Sequence, residues 1–307
     1  MPELPEVEVV RAGLAPAVTG ATILGVEVFE PRSLKRHDPV AGAFETLLTG
    51  RVMEEPARRG KFLWIPLHGT PRRAIVAHLG MSGQILLREP GWDETGLLRI
   101  RLHIETAATL PGDRRELWVN FVDQRIFGSM AVDTLVPTAD GAAAGLGTFE
   151  PLIPTQVSHI ARDPLDPAFD DAGFFAAVAR KNSGIKRVLL DQTVISGIGN
   201  IYADEALWAA RIHYEQPAST LTRAKARTLL AEVRHVLEKA LAEGGTSFDA
   251  QYVNVNGNSG YFAHSLNVYG QEGKPCPRCG TPIVRERFMN RSSHLCPRCQ
   301  RVRVPRP

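Results

Sequence analysis

The first eight residues, Met1-Pro2-Glu3-Leu4-Pro5-Glu6-Val7-Glu8, hold the side chains and backbone groups best suited to chemistry. Pro2 is small enough for Met1 to be trimmed, which leaves a free secondary amine at the new terminus. An α-amino group titrates near pH ~8, so a useful fraction is unprotonated at neutral pH. Such an amine attacks an electrophilic sugar or carbonyl carbon and forms a cationic iminium. Glu3, next in the chain, is placed to donate or accept a proton. The same residues also suit an ordinary helix start, where a proline and first-turn carboxylates meet the positive end of the helix. Other segments have to decide between these readings.

The four cysteines form a second constellation. Cys276, Cys279, Cys296 and Cys299 read as C-x2-C, sixteen residues, C-x2-C. That spacing presents four thiolates to one tetrahedral Zn2+. Two disulfides are the alternative, and a reducing cytoplasm weighs against them. Four thiolates leave no open coordination position, so the expected role is structural. The same tail is basic. Residues 271–307 carry nine Lys or Arg and two acidic residues, a net +7, while the other 270 residues sum to −4. A cationic module on a slightly acidic body points to a polyanionic partner.

These groups need a framework. A chain of 307 residues exceeds what one core usually needs, so two or three domains are expected. The apolar content of 44 % is that of a globular protein. No run of about 18 apolar residues exists, so no membrane span is expected. With three acidic residues in its first eight and no apolar stretch of signal-peptide length, the N-terminus is not expected to direct export, and a cytoplasmic location is expected.

Val7, Val10, Leu14 and Val18 recur at helical spacing, and Thr19-Gly20 ends that helix. Short β-rich runs follow at 62–65 and 74–77. Residues 99–104 alternate strictly, as a half-buried strand does, and 117–122 and 129–132 look similar. Segments 106–114 and 139–147 read as loop insertions rich in Gly, Ala, Pro and Asp. Beyond Pro154 the pattern turns helical, at 174–181, 185–191 and 201–210. A longer helix carries Leu229, Leu230, Val233, Val236, Leu237 and Leu241, and Gly244-Gly245 stops it. Residues 249–262, rich in Asn, Gly and Ser, read as a mobile loop. The domains expected are therefore 1–150, 151–262 and 263–307.

Six motifs in this order resemble the formamidopyrimidine-DNA glycosylase family. They are MPELPEVE, Gly60-Lys61, the run His78 to Gly83 (HLGMSG), Asp123-x-Arg125-x-Phe127-Gly128, the run Gly197 to Tyr202 (GIGNIY) and the CxxC pair. The similarity runs from Met1 to about Gln300. It implies an α+β multidomain protein: an N-terminal β-sandwich with a flanking helix, a helix-two-turn-helix domain and a zinc finger. It implies a bifunctional glycosylase and lyase of bacterial base excision repair, which removes 8-oxoguanine and formamidopyrimidines from duplex DNA. The amine of Pro2 would attack C1′ and displace the base. Glu3 would protonate the ring oxygen as the sugar opens, and β- and δ-elimination would then cut the strand. Glu6 matches a further acidic position near that site.

By the same resemblance, Lys61 contacts phosphate near the lesion and assists elimination, and Arg291 grips the flanking phosphates and supports δ-elimination. A planar guanidinium suits that task. Met81, Arg125 and Phe127 match side chains that fill the hole left by an everted base. Asn200, at a Gly-rich helix start, matches a phosphate ligand. Lys181 and Lys186, with Arg180 and Arg187, would form a phosphate-gripping edge whose affinity falls steeply with salt. The partner implied is lesion-bearing or abasic duplex DNA met by a monomer, with one structural Zn2+ and no membrane. One departure stands out: a DNA-contacting His of the family falls at Leu97 here, so either one phosphate or sugar contact is missing or a neighbour such as Arg99 or His103 replaces it. Two rival readings remain. One is the sibling enzyme for oxidised pyrimidines, against which Leu4 and Met81 argue. The other is a lesion-binding protein without catalysis, against which Pro2 and Glu3 argue.

Overall fold

The computed structural model describes residues 2–92, 96–108, 113–245, 255 and 265–302. The loop expected at 249–262 lies outside the described residues except for Val255, as do residues 109–112 of the first insertion. The chain divides into two units. One runs to His159 and takes in residues 244–260; the other comprises Ile160–Glu243 and residues 261 onward. Among the described residues no helix is long and apolar enough to cross a membrane.

The first unit opens with helix α1 (Leu4–Val18), followed by strand β1 (Thr22–Val28), two 3-10 turns (Pro31–Leu34 and Pro39–Ala41) and the short helix α2 (Phe44–Leu48). Eight strands follow: β2 (Ala57–Arg59), β3 (Phe62–Leu67), β4 (Arg73–His78), β5 (Gly83–Arg88), β6 (Leu98–Glu105), β7 (Glu116–Asp123), β8 (Ser129–Pro137) and β9 (Leu152–Pro154). They form a four-stranded sheet, β1-β6-β7-β5, and a five-stranded sheet, β2-β3-β4-β8-β9, in which every neighbouring pair is antiparallel. Residues from both sheets and from α1 share one core. Val7, Val10, Leu14 and Val18 of α1 meet Ile100, Leu102 and Ile104 of β6 and Leu63, Ile65 and Ile75 of β3 and β4. The period of 3.6 in α1 and the period of 2 in β6 turn the apolar face of each toward this core.

The second unit holds α3 (Asp171–Arg180), α4 (Ile185–Leu189), α5 (Asn200–Ala209), α6 (Arg223–Ala242) and the hairpin β10 (Val284–Phe288) and β11 (Arg291–Leu295). Thr222 caps α6 by accepting the Lys225 N–H at 3.2 Å. Leu229, Leu230, Val233 and Leu237 are buried along one face of that helix, and Gly244 and Gly245 follow it at φ 75° and 82°. The hairpin carries Arg291 at the first residue of β11, opposite Phe288.

Candidate active site and nucleic-acid interface

The octapeptide forms the capped start of α1. Glu3 is the N-cap residue, extended at φ −109°, and Glu6 Oε2 accepts the Glu3 backbone N–H at 2.8 Å. This capping box fixes the direction in which the chain leaves the helix toward Pro2. Pro2, Glu3 and Glu6 are all buried. Gly245 closes over the box: a Cβ built there would stand 3.1 Å from Glu6 Oε1, and its φ of +82° already disfavours any other residue.

An ion pair ties this helix to the turn that carries Lys61. Glu8 accepts Arg58 Nε at 2.9 Å and pairs with Arg11 at 2.9 Å. Arg58 lies on β2, and β2 and β3 join through the two-residue turn Gly60-Lys61, with Arg59 opposite Phe62. Gly60 takes φ 57°, the positive value that a tight hairpin turn demands at its first central residue. The second insertion turns out to support this hairpin. Arg58 and Leu146 exchange backbone hydrogen bonds of 2.8 and 3.0 Å, and Arg59 Nε donates to the Ala144 carbonyl at 2.8 Å. The stretch 144–147 is therefore built into the base of the turn, which its Gly/Ala-rich composition did not reveal.

His78, at the end of β4, faces the ring of Phe62 at 4.8 Å and accepts the Gly80 N–H on Nδ1 at 3.2 Å. Burial pushes its pKa down to about 4, helped by the charges of Arg36, Lys61 and Lys35. The imidazole is therefore neutral at physiological pH. Because the folded value lies below the unfolded one of about 6.5, the unfolded chain binds more protons between pH ~4 and ~6.5. The stabilisation is complete above pH ~6.5 and is lost as pH falls through that window, on the order of 3 kcal/mol in all. His78→Asn keeps an acceptor for the Gly80 N–H but does not titrate. Urea midpoints measured from pH 7 to pH 4 should fall less steeply for this variant than for the wild type; parallel curves would refute the assignment.

Met81, Arg125 and Phe127 come together at one edge of the first unit. Met81 lies between β4 and β5 and is 44 % exposed; Phe127 lies between β7 and β8 and is 47 % exposed. Neither side chain belongs to the buried core of the sandwich. The Arg125 guanidinium sits 5.0 Å from the Phe127 ring. The turn beneath them is tightly built. The buried Asp123 carboxylate accepts the N–H groups of Arg125 (3.1 Å) and Gly128 (2.7 Å) and the Ser82 hydroxyl (2.6 Å). Gly80, at φ +65°, meets this turn backbone to backbone: a Cβ there would stand 2.5 Å from the Gly128 nitrogen and from the Phe127 carbonyl carbon. Gly80 of the HLGMSG run is thus required by the contact between the two loops, and Gly83 by its own loop, where a Cβ would collide with the Leu79 carbonyl oxygen. Leu97 accepts the Asp123 N–H on its carbonyl at 3.0 Å, and Arg99 Nε donates to the Asp123 carbonyl at 2.7 Å. Arg99 therefore lies at the foot of the turn that carries Arg125 and Phe127. His103 sits farther along β6, with Nε2 2.6 Å from Glu27 and Nδ1 3.7 Å from Glu116.

In the second unit the four cysteine sulfurs lie within 4.8 Å of one another. Cys279 Sγ is 3.5 Å from both Cys296 Sγ and Cys299 Sγ. Four Zn–S bonds of about 2.3 Å in a tetrahedron place the sulfurs about 3.8 Å apart, so the cluster fits Zn2+. The Cys299 backbone N–H and the Trp208 indole N–H point at the sulfurs of Cys296 and Cys276, each at 3.4 Å, and temper the thiolate charge. The cluster holds one structural Zn2+. By fixing both CxxC turns it holds the hairpin that presents Arg291, which is exposed.

One face of α5 docks on this module. Asn200 Nδ2 donates to the Ser292 carbonyl at 3.0 Å, one residue after Arg291. One turn on, the Asp204 carboxylate accepts the Ser293 hydroxyl (2.9 Å) and the His294 N–H (2.8 Å). Beside it, Glu205 gathers the backbone N–H groups of Asn267, Val268 and Tyr269 within 3.1 Å. Sequence reasoning missed Asp204 and Glu205. The signal was present, as two adjacent carboxylates inside the otherwise apolar run 201–210.

Lys186 requires a correction. Its ammonium does not line a solvent-facing edge; it is buried, 2.6 Å from Asp204 Oδ1, and donates to Ser293 Oγ at 2.9 Å. A partner 18 residues away, invisible to local pattern, draws it inward, because a buried charge must be paired. Lys181 remains at the surface, 3.0 Å from Asp191, and Arg180 and Arg187 are exposed.

Three family models match the chain: the formamidopyrimidine-DNA glycosylase N-terminal domain over residues 1–130, the H2TH domain of the same enzymes over 160–251, and a zinc finger found in FPG and IleRS over 273–302. The formamidopyrimidine-DNA glycosylase of Leifsonia xyli subsp. xyli is 77 % identical over 302 residues, covering 98 % of this chain and all of the relative. That of Thermobifida fusca is 54 % identical, covering 100 % and 98 %. Among solved structures, Lactococcus lactis Fpg bound to DNA containing an abasic site is similar at TM-score 0.78 and 27 % identity, covering 97 % of this chain and 99 % of that one. MutM bound to DNA containing carbocyclic 8-oxo-G is similar at TM-score 0.78 and 28 % identity, with the same coverage.

Proposed function

Since the chain belongs to the formamidopyrimidine-DNA glycosylase family, we propose that it excises 8-oxoguanine and formamidopyrimidines from duplex DNA and cuts the resulting abasic strand through the amine of Pro2. The observation that carries this reading is the union, in one unit, of a proline-headed helix cap with two carboxylates and an exposed pair of apolar wedges. The first can form and break bonds at a sugar; the second can hold a base out of the stack.

Once Met1 is removed, the Pro2 nitrogen attacks C1′ and the C1′–N9 bond breaks, the departing base keeping the electron pair and taking up a proton. Glu3 gives a proton to the ring oxygen as the C1′–O4′ bond opens, leaving an iminium at C1′. The cationic nitrogen acidifies C2′–H. Loss of that proton expels the 3′ phosphate by β-elimination, and a second proton loss expels the 5′ phosphate by δ-elimination. Lys61 and Arg291 hold these phosphates and stabilise their departing charge. Glu6 keeps the cap in place. Lys181 and Asn200 grip the backbone, Met81 and Phe127 fill the vacated stack, and Arg125 meets the orphaned cytosine. Zn2+ does no chemistry here. The enzyme acts as a monomer in the bacterial cytoplasm, and Lys186 serves by holding the zinc hairpin rather than by touching DNA.

The test uses N-terminally trimmed protein, a duplex with 8-oxoguanine opposite cytosine, and borohydride. Release of the free oxidised base and a reduced protein–DNA adduct that maps to Pro2 are expected. Base release without an adduct, or an adduct without base release, would overturn the mechanism. A parallel duplex with an oxidised thymine addresses a second substrate class, because Lactococcus lactis Fpg has been solved with DNA containing an oxidised pyrimidine. The purine duplex should be processed faster.

A further inference from the structure

We propose that Lys35 is the positioning residue of the DNA-inserting turn, clamping it from the carbonyl side as Asp123 clamps it from the amide side. This rests on the reading of Arg125 and Phe127 as groups that enter the stack. Lys35 follows the 3-10 turn Pro31–Leu34, whose Ser33 is fully buried and whose Leu34 packs against the sandwich core. Its backbone is therefore anchored far from the wedge in sequence. Its ammonium crosses to the wedge turn and donates to the carbonyls of Ile126 (3.1 Å) and Phe127 (2.9 Å).

The first of those carbonyls belongs to Ile126, which takes φ +57°. A β-branched residue in the left-handed region is a conformational outlier and persists only where its surroundings over-determine it. Asp123 supplies one restraint through the Arg125 and Gly128 N–H groups. Without a second one the peptides on either side of Ile126 are free to rotate back, carrying Phe127 out of line. Lys35 supplies that second restraint with charge-assisted bonds. Nothing in the mechanism uses Lys35, and its sequence neighbours Arg32 and Arg36 make it look like one more surface cation.

The experiment compares the wild type with Lys35→Met, Lys35→Arg, Ile126→Asn and the double variant Lys35→Met/Ile126→Asn, since Asn tolerates the left-handed region. Three readouts are taken: 8-oxoguanine excision from duplex, fluorescence of 2-aminopurine beside the lesion as a report of eversion, and cleavage at an abasic site in a single strand, where no stack has to be opened. Lys35→Met should lose about tenfold in duplex excision and in the eversion signal, the scale set by one strained backbone residue. It should cleave the single strand normally. Lys35→Arg should be near wild type, and the double variant should recover to within about twofold. Amide exchange at Arg125 and Gly128 should speed up in Lys35→Met and slow again in the double variant, whatever the activity. Equal losses on duplex and single strand, with the salt dependence shallower by about one charge, would make Lys35 a plain phosphate contact and overturn the proposal. So would a Lys35→Met variant unchanged in amide exchange. If the wild type releases no base, the functional reading fails instead, and the exchange data still decide whether the clamp exists.

Discussion

An N-terminal extension that keeps the Pro2 nitrogen in an amide should abolish strand cleavage, and Pro2→Gly should retain about one hundredth of the wild-type single-turnover rate. An amide nitrogen has no lone pair to offer, so the extended chain cannot reach the first covalent step. Glycine still offers an amine, but a primary one. Its imine is an electron sink only while protonated, whereas the iminium of proline carries a fixed positive charge. A hundredfold loss corresponds to about 2.7 kcal/mol of barrier. Affinity for lesion-bearing duplex should change little in Pro2→Gly, because Glu3 still caps α1 and Glu6 still holds that cap at 2.8 Å. Rapid-quench kinetics with borohydride trapping at each time point would separate the steps. Full turnover by the extended chain would move the nucleophile elsewhere, and Lys61 would be the next amine to examine.

Lys186→Met should destabilise the second unit by about 3–5 kcal/mol, the usual cost of removing one partner of a buried pair. Lys186 is 0 % and Asp204 1 % exposed, and their charged atoms lie 2.6 Å apart. Methionine fills the space of the stem but leaves the Asp204 carboxylate uncompensated. Asp204 also holds Ser293 and the His294 N–H, so the damage passes to the hairpin and to the neighbouring Arg291. Chelators should then strip Zn2+ from the variant far faster than from the wild type. Adding Asp204→Asn should recover part of the stability, since a neutral amide needs no counter-ion and its oxygen still accepts the His294 N–H. Unfolding curves and zinc-release rates for the three proteins test this. A single variant as stable as the wild type would show that Lys186 is not needed as a counter-ion.

How far the sequence foretold this arrangement depended on the range of the forces involved. Helix α1 was legible because Val7, Val10, Leu14 and Val18 mark one face, and β6 because Ile100, Leu102 and Ile104 alternate with polar residues. Strand β1 was not, since a register shift at Gly25 breaks its alternation. Strand β5 was not, because its first four residues are all buried and show no period of two. β2 has only three residues, paired with β3 on one side and bridged through Arg58 to Leu146 on the other. In the site, the cysteine spacing and the octapeptide were local signals and were read directly. Lys186 and Lys35 were not open to such reading. Each is a lysine in a basic stretch whose role is set by a group that only the folded chain brings near, Asp204 for one and the Ile126 and Phe127 carbonyls for the other.

The meeting of Gly80 with Gly128 bears on how the protein can interrogate intact DNA. No side chain cushions that junction, so the methionine loop and the phenylalanine turn cannot flex independently. They form a two-pronged tool on a single stiff mount. In the proposed reaction, a thrust against stacked bases would pass to the sheet rather than into loop bending.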